Sequence, residues 1–104
     1  MIITTSAQIE GKAITRTIGL VKGSTIRARH VGRDIMAGLR GMVGGEISEY
    51  TKMMAEAREE AIQRMVADAE KQGANAIVSM RFATSMIMQS AAEVLAYGTG
   101  VVLE

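Results

Sequence analysis

The order of apolar and polar residues in the first third of the chain is typical of β-strands. Residues 2–5 are Ile and Thr, and the stretch 13–29 is rich in Ile, Thr and Val, which favour extended backbone. Gly23 is expected to turn or bulge the chain and to divide this stretch into strands over 13–22 and 24–30. A connection that short makes the two strands antiparallel neighbours.

The middle of the chain has the three- to four-residue period of an amphipathic helix. This period extends over residues 48–72 and predicts one long helix, with Ser48 as its N-cap and Gly73 as its left-handed C-cap. A shorter helix is predicted over residues 33–40. The apolar stripe of the long helix consists of Tyr50, Met53, Met54, Ala57, Ala61, Met65 and Ala69.

Two further strands are expected after the helix, over residues 74–83 and 92–103. The last one is apolar on both faces, which predicts that both faces are covered. Because one helix covers only one face of a sheet, the second face is expected to need another chain, and this favours a homo-oligomer. The element order predicts a single α+β domain over residues 1–104, with an antiparallel sheet and one long helix packed on one face.

Composition narrows the possible chemistry. The 104 residues include no cysteine and only one histidine, His30. Disulfide frameworks, thiolate zinc sites and cysteine nucleophiles are therefore excluded, and one chain cannot supply a multi-histidine metal site. No arrangement of residues predicts an enzyme. The N-terminus lacks the pattern of a signal peptide and no apolar run is long enough to span a membrane, so a soluble, cytoplasmic protein is expected.

Charge is unevenly distributed along the chain. Residues 11–41 contain seven basic residues and one acidic residue, whereas residues 42–73 contain four basic and seven acidic ones. Attraction between these segments within the fold is the favoured interpretation, and an anion site is the alternative. A nucleic-acid contact through 11–41 is a further alternative, which two Tyr, one Phe and a net charge of +1 disfavour.

A glycine-rich loop is the first candidate binding site. Residues 38–45 hold four glycines immediately before the long helix, and Arg33 and Arg40 flank them. Backbone amides of such a loop and of a helix N-terminus can cradle an anion. The alternative is a tightly turned connection with no ligand.

Candidate metal donors are few. Copies of His30 from identical chains could meet in a ring, although a strand-end histidine without such a role is the simpler interpretation. Met86 and Met88 are placed on one face of a strand by the alternation of side chains, and their thioethers would suit a soft ion such as Cu(I). Packing is the alternative role for these methionines.

Several short motifs occur in a fixed order along the whole chain. They are Ile3-Thr4-Thr5, Ile9-Glu10-Gly11, Arg33-Asp34-Ile35, Gly44-Gly45 with Tyr50, Arg58-Glu59-Glu60-Ala61, Gly73-Ala74-Asn75-Ala76-Ile77-Val78 and Gly98-Thr99-Gly100-Val101-Val102. Taken together, the ordered set resembles the YbjQ-like family. The chain departs from the family pattern at Ser79, where the family usually has glycine.

The resemblance implies a subunit similar in fold to dodecin, assembled into a ring that is typically a pentamer. It also implies heavy-metal binding, for which this chain offers no cysteine and one histidine. The family pattern marks Arg33, Asp34, Gly44, Gly45 and Tyr50 as candidate pocket residues.

Two functional hypotheses follow from these observations. The first is a homo-oligomer that binds a metal ion or a small anion at its subunit junctions, where Arg33, Arg40 and the glycine-rich loop line the site. The second is a scaffold oligomer with no small ligand.

Overall fold

The chain folds as one helix packed on a four-stranded sheet. The computed structural model describes residues 1–28, 45–88 and 91–104. The elements are β1 (Ile2–Ile3), β2 (Ile14–Ala28), α1 (Gly45–Lys71), β3 (Ala76–Met88) and β4 (Ala91–Leu103), and the strand order is β1-β3-β4-β2. The predicted α+β class with one helix on the sheet is confirmed. The sheet is mixed rather than antiparallel throughout, because β1 pairs parallel to β3.

Gly23 does not turn the chain, so the expected division into two strands is wrong. It lies inside β2, directly opposite Ala96 of β4. A Cβ atom at this position would lie 2.5 Å from the carbonyl oxygen of Ala61 and closer still to the backbone nitrogen of Met65. Glycine is therefore required here because the helix backbone rests on the sheet, and not because the strand ends.

The long helix is confirmed, although it begins before the predicted cap. It starts at Gly45 rather than after Ser48 and ends at Lys71. Gly73 has a φ of 92°, and its amide donates to the carbonyl of Glu70, while the amide of Ala74 donates to that of Ala69. This pair of bonds is a Schellman motif, as the glycine predicted. The short helix predicted over 33–40 lies outside the described residues.

The main core lies between α1 and the sheet. Small residues at four-residue spacing on the helix allow its close approach to β2 and β4, over which it mainly lies. The buried residues of this core are Val21, Ala57, Ala61, Met65, Ala69, Ala74, Ile77, Met80, Val94 and Ala96.

A bulge at Ser79 changes which side chains of β3 share a face. Ser79 has a φ of 54°, and the pairing with β4 shifts between Val78 and Arg81. Regular alternation would place Val78 and Met80 together. Instead Val78 packs on the side away from the helix, whereas Met80 joins the main core. Glycine adopts the left-handed backbone found at Ser79 without steric cost, whereas serine does not.

The face of the sheet away from the helix is covered in part by the same chain. Ala76, Val78, Val101 and Leu103 form a second buried cluster, and Ile9 of the N-terminal segment packs against it. The expectation that this face needs another chain is therefore wrong at this end of the sheet. The segment that precedes β2 provides the cover.

Candidate functional site

The exposed apolar side chains are concentrated on the strands that form the edges of the sheet. Among the described residues, the large exposed ones are Met1, Ile2, Ile3, Ile14, Leu20, Ile26, Phe82, Met86, Ile87 and Met88, which all lie on or beside β1, β2 and β3. The central strand β4 and the described side chains of α1 contribute none to this set. Contiguous exposed apolar surface is typical of interaction sites, so these strands are the candidates for one.

The last eight residues of β3 form a free edge, which we call the β3 edge (residues 81–88). Backbone hydrogen bonds between the N-terminal segment and β3 reach as far as Met80, whose amide donates to the carbonyl of Thr4 over 3.0 Å. The guanidinium of Arg81 also donates to the carbonyl of Thr5 over 2.9 Å. Beyond Met80 every side chain of β3 is exposed. In the described part of the chain, only β4 pairs with this edge, so its outward-facing amides and carbonyls remain available.

The outer side of β2 forms a second free edge, which we call the β2 edge (residues 14–28). Among the described strands, this one pairs with β4 alone. Leu20 lies opposite Thr99 and Ile26 opposite Glu93, and the two apolar side chains are 62% and 61% exposed. The residues of this edge that carry charge are Arg16, Lys22 and Arg27, and none is acidic.

The two oppositely charged segments of the chain meet inside the fold. The guanidinium of Arg27 on β2 pairs with the carboxylate of Glu60 on α1. Arg64 bonds the same carboxylate over 2.6 Å and the carbonyl of Ser24 over 2.6 Å. These contacts support attraction within the fold for Arg27, because Glu60 already compensates its charge. An anion at that guanidinium would have to compete with the carboxylate.

A second polar contact holds the other end of the helix to β2. The carboxylate of Asp68 accepts bonds from the backbone amide of Lys22 over 3.0 Å and from the Gln72 side chain over 3.1 Å. The Lys22 amide is the largest cause, and the Gln72 bond the next, of a lowering of the pKa of Asp68 below its usual value. The contact is therefore strongest when this carboxyl is ionised.

The predicted binding residues fall mostly outside the described part of the chain. His30, Arg33, Asp34, Arg40 and Gly44 lie between the described ranges 1–28 and 45–88. Of the residues predicted with them, Gly45 is the first residue of α1, and Tyr50 lies in its second turn. The backbone at these two positions therefore belongs to the N-terminal end of the helix.

Met86 and Met88 lie at the far end of the β3 edge. Met86 is opposite Ala92 and Met88 is opposite Ala91, with a register shift between the two pairs. The shift interrupts the alternation from which a shared face was predicted, so the two thioethers do not form a regular i, i+2 pair. Residues 1–28, 45–88 and 91–104 contain no group of three or more His, Cys, Asp or Glu side chains that could hold a metal ion.

The β3 edge was not predicted as a site, although its composition contains a signal. Residues 82–88 are uncharged, and apolar side chains occur at both even and odd positions. Such a segment is typical of a strand covered on both sides, yet this one is exposed.

Among the helices of the described residues, none is long and apolar enough to cross a membrane.

Comparison with known proteins assigns the family. The model of the YbjQ-like family, described as "Putative heavy-metal-binding", matches residues 1–104. The chain belongs to this family. A UPF0145 protein of Methanosarcina acetivorans is 63% identical over 101 residues, which cover 97% of this chain and 95% of that protein. A UPF0145 protein of Dehalococcoides mccartyi is 59% identical over 104 residues, which cover both chains completely.

A solved structure supports the fold. A protein of unknown function of the DUF74 family from Pediococcus pentosaceus is similar to this chain, with a TM-score of 0.69 and 18% sequence identity. The similarity covers 100% of this chain and 98% of the other. At this level of identity the comparison bears on the fold alone.

Proposed function

We propose that this chain is a cytoplasmic, non-enzymatic homo-oligomer whose subunits join through the free edges of their sheets and bind a metal ion or a small anion at the junctions. One observation carries the proposal: the large exposed apolar side chains lie on edge strands and not on the central strand. A free apolar edge exposes both unpaired backbone groups and apolar surface to water. Pairing with another copy removes both costs together.

The charges of the edges favour a contact between unlike edges. Two β2 edges would bring Arg16 and Lys22 of one copy towards the same basic residues of the other, which is repulsive. The β3 edge carries one charged residue, Arg81, and is otherwise uncharged. A contact of the β3 edge with the β2 edge of the next copy repeats head to tail, and such a repeat closes into a ring when its rotation permits. The pentamer implied by the family resemblance is one such ring.

Two kinds of ligand fit the candidate binding residues that the sequence offers. A small anion would be held by Arg33, Arg40 and the backbone of the glycine-rich loop 38–45. A soft metal ion would use thioethers of Met86 and Met88, with His30 supplied by different copies. Heavy-metal binding is the description that the family carries.

Native mass spectrometry of untagged protein, purified without a chelator, tests assembly and ligand together. We expect a five-fold species, and mass beyond five chains would begin to identify the ligand. A bare pentamer would transfer support to the scaffold hypothesis. A monomer at micromolar concentration would contradict the proposal.

A substitution on the β3 edge tests where the subunits meet. We expect Ile87→Lys to dissociate the oligomer, because a charge is placed where the proposed contact removes water. Ala55→Lys on the exposed face of α1 is the matched control, since it makes a similar change away from both edges. Equal assembly of the two variants in sedimentation velocity would exclude the β3 edge as the junction.

The ligand is tested separately from the assembly. Arg33→Ala combined with Arg40→Ala should abolish binding of inorganic phosphate, measured by calorimetry, while the oligomer remains intact. Cu(I) binding should survive this double substitution and decrease in Met86→Leu/Met88→Leu. A protein whose melting temperature responds to neither probe would favour the scaffold hypothesis.

A further inference from the structure

We propose that Met86 and Met88 form an oxidation site, at which hydrogen peroxide converts the thioethers of a free subunit into sulfoxides and thereby blocks its assembly. This inference rests on the proposed function, because it assigns Met86 and Met88 to the surface through which the subunits join. It adds a chemical control of that surface. Assembled subunits are expected to be protected, since the junction would cover the same sulfur atoms.

Exposure separates these two methionines from those of the core. The side chains of Met86 and Met88 are 64% and 62% exposed, whereas Met65 is fully buried and Met80 is 6% exposed. The residues opposite Met86 and Met88 on β4 are Ala92 and Ala91, whose methyl groups are too short to cover a thioether. We therefore expect peroxide to react with both thioethers without any opening of the fold.

The reaction needs only the thioether and the peroxide. A lone pair of the methionine sulfur attacks one peroxide oxygen, and the O–O bond breaks as the S–O bond forms. The sulfur is oxidised by two electrons to the sulfoxide, the peroxide is reduced, and the other oxygen leaves as water after proton transfer. A methionine sulfoxide reductase reverses the change, so the site can act repeatedly.

Oxidation of these sulfur atoms is expected to weaken assembly, because they lie on the proposed contact surface. A sulfoxide oxygen is a strong hydrogen-bond acceptor, whereas a thioether is nearly apolar. On the β3 edge it would have to lose water when another copy docks, without a donor reserved for it. Peroxide does not alter the neighbouring Ile87 and Phe82. The gain in polarity on the β3 edge is therefore confined to Met86 and Met88.

The first experiment measures which methionines react. Protein diluted to favour free subunits is treated with hydrogen peroxide, and sulfoxide formation is followed for each methionine by peptide mass spectrometry. We expect Met86 and Met88 to react at least ten times faster than Met65 and Met80. Similar rates at all four positions would overturn the proposal, because exposure would then confer no selectivity.

The second experiment measures what the reaction does. After peroxide is removed, the protein is concentrated and its assembly is measured by native mass spectrometry. The oxidised wild-type chain should remain unassembled, and a methionine sulfoxide reductase should restore assembly. The assembly of Met86→Leu/Met88→Leu should be the same before and after peroxide treatment, because leucine cannot be oxidised.

A matched variant and the untreated protein distinguish failure of the proposed function from failure of the oxidation proposal. Met53→Leu/Met54→Leu on α1 carries the same chemical change and should remain as sensitive to peroxide as the wild type. If the untreated wild-type chain is a monomer, the proposed function fails. If that chain assembles and its fully oxidised form assembles equally well, only the present inference fails.

Discussion

The two parts of β3 differ in their surroundings far more than in their hydrophobicity. Ala76–Met80 is buried or half-buried, whereas every residue from Arg81 to Met88 is exposed. Both parts pair with β4 on one side. The first part also has the N-terminal segment on its other side and contributes Ile77 and Met80 to the core under α1. Within residues 1–28, 45–88 and 91–104, the second part therefore differs from the first by having fewer neighbours and not by being polar.

Small residues at the contact of α1 with β2 and β4 explain why the helix does not cover the β3 edge. Gly23 and Ala96 lie opposite each other on β2 and β4, and the small side chains of α1 pack there. The helix therefore lies over these two strands and makes few contacts with β3. Phe82, which is opposite Ala96, and Met86 consequently remain exposed.

The largest effect on the free energy of unfolding is expected at Gly23, where α1 packs closely on β2. Gly23→Ala places a methyl group within 2.6 Å of backbone atoms of Ala61 and Arg64, which cannot move aside like a side chain. We expect a loss of at least about 3 kcal/mol, or no folded protein at all. Urea unfolding followed by circular dichroism measures the change. Ser24→Ala, one residue further on, should cost much less, and equal losses would contradict the close approach described here.

A smaller effect on stability is expected at Asn75, whose side chain bonds to the backbone at the end of β4. The Asn75 side chain accepts a bond from the amide of Leu103 over 2.7 Å and donates one to its carbonyl over 3.1 Å. Asn75→Ala removes both bonds, and we expect a loss of about 1–2 kcal/mol in chemical denaturation. Asn75→Asp keeps the acceptor and should lose less. An Asn75→Ala variant as stable as the wild type would show that these bonds contribute nothing net.

A gain is expected at the boundary between the two parts of β3. Ser79 holds a φ of 54°, at a cost that glycine does not incur. Ser79→Gly should raise the free energy of unfolding by about 0.5–1 kcal/mol, after allowance for the greater freedom of glycine in the unfolded chain. Ser79→Ala should give no such gain, because alanine has a Cβ atom too. If both variants behave alike in thermal unfolding, the strain is absent.

The smallest expected effect is a dependence on pH. The pKa of Asp68 is lowered in the folded chain, chiefly by the Lys22 amide. Its contribution to stability is therefore present above the pKa of the unfolded state and is lost as the pH falls through the lower folded value. Asp68→Asn should have a lower Tm than the wild type at pH 7, and the difference should shrink in acid. A constant difference between pH 7 and pH 3 would argue against ionisation as the cause.

Periodicity was sufficient to predict most of the fold. The helical stripe and the left-handed Gly73 are local features, and α1 follows the first and ends at the second. Gly23 could not be interpreted in the same way. Glycine serves a turn and a close backbone approach equally well, and only the position of the helix distinguishes them. Strict alternation does not give the faces of β3, because one left-handed residue, Ser79, shifts it.

The candidate site depends on information that a local pattern does not contain. Residues 82–88 have the composition of a covered strand, but whether a cover exists depends on where the N-terminal segment and α1 lie. Ile9 shows the opposite case, because it covers a face that was expected to need another chain. Distant parts of the chain decide both outcomes.

The central claim is that a second copy covers the β3 edge, and amide hydrogen exchange over residues 81–88 tests it most directly. Exchange is measured at several protein concentrations, with Ala76–Met80 as the internal reference. We expect the amides of the β3 edge to be protected nearly as well as the reference at high concentration and to lose protection on dilution. Fast exchange of the outward-facing amides at every concentration, beside a protected reference, would contradict the claim.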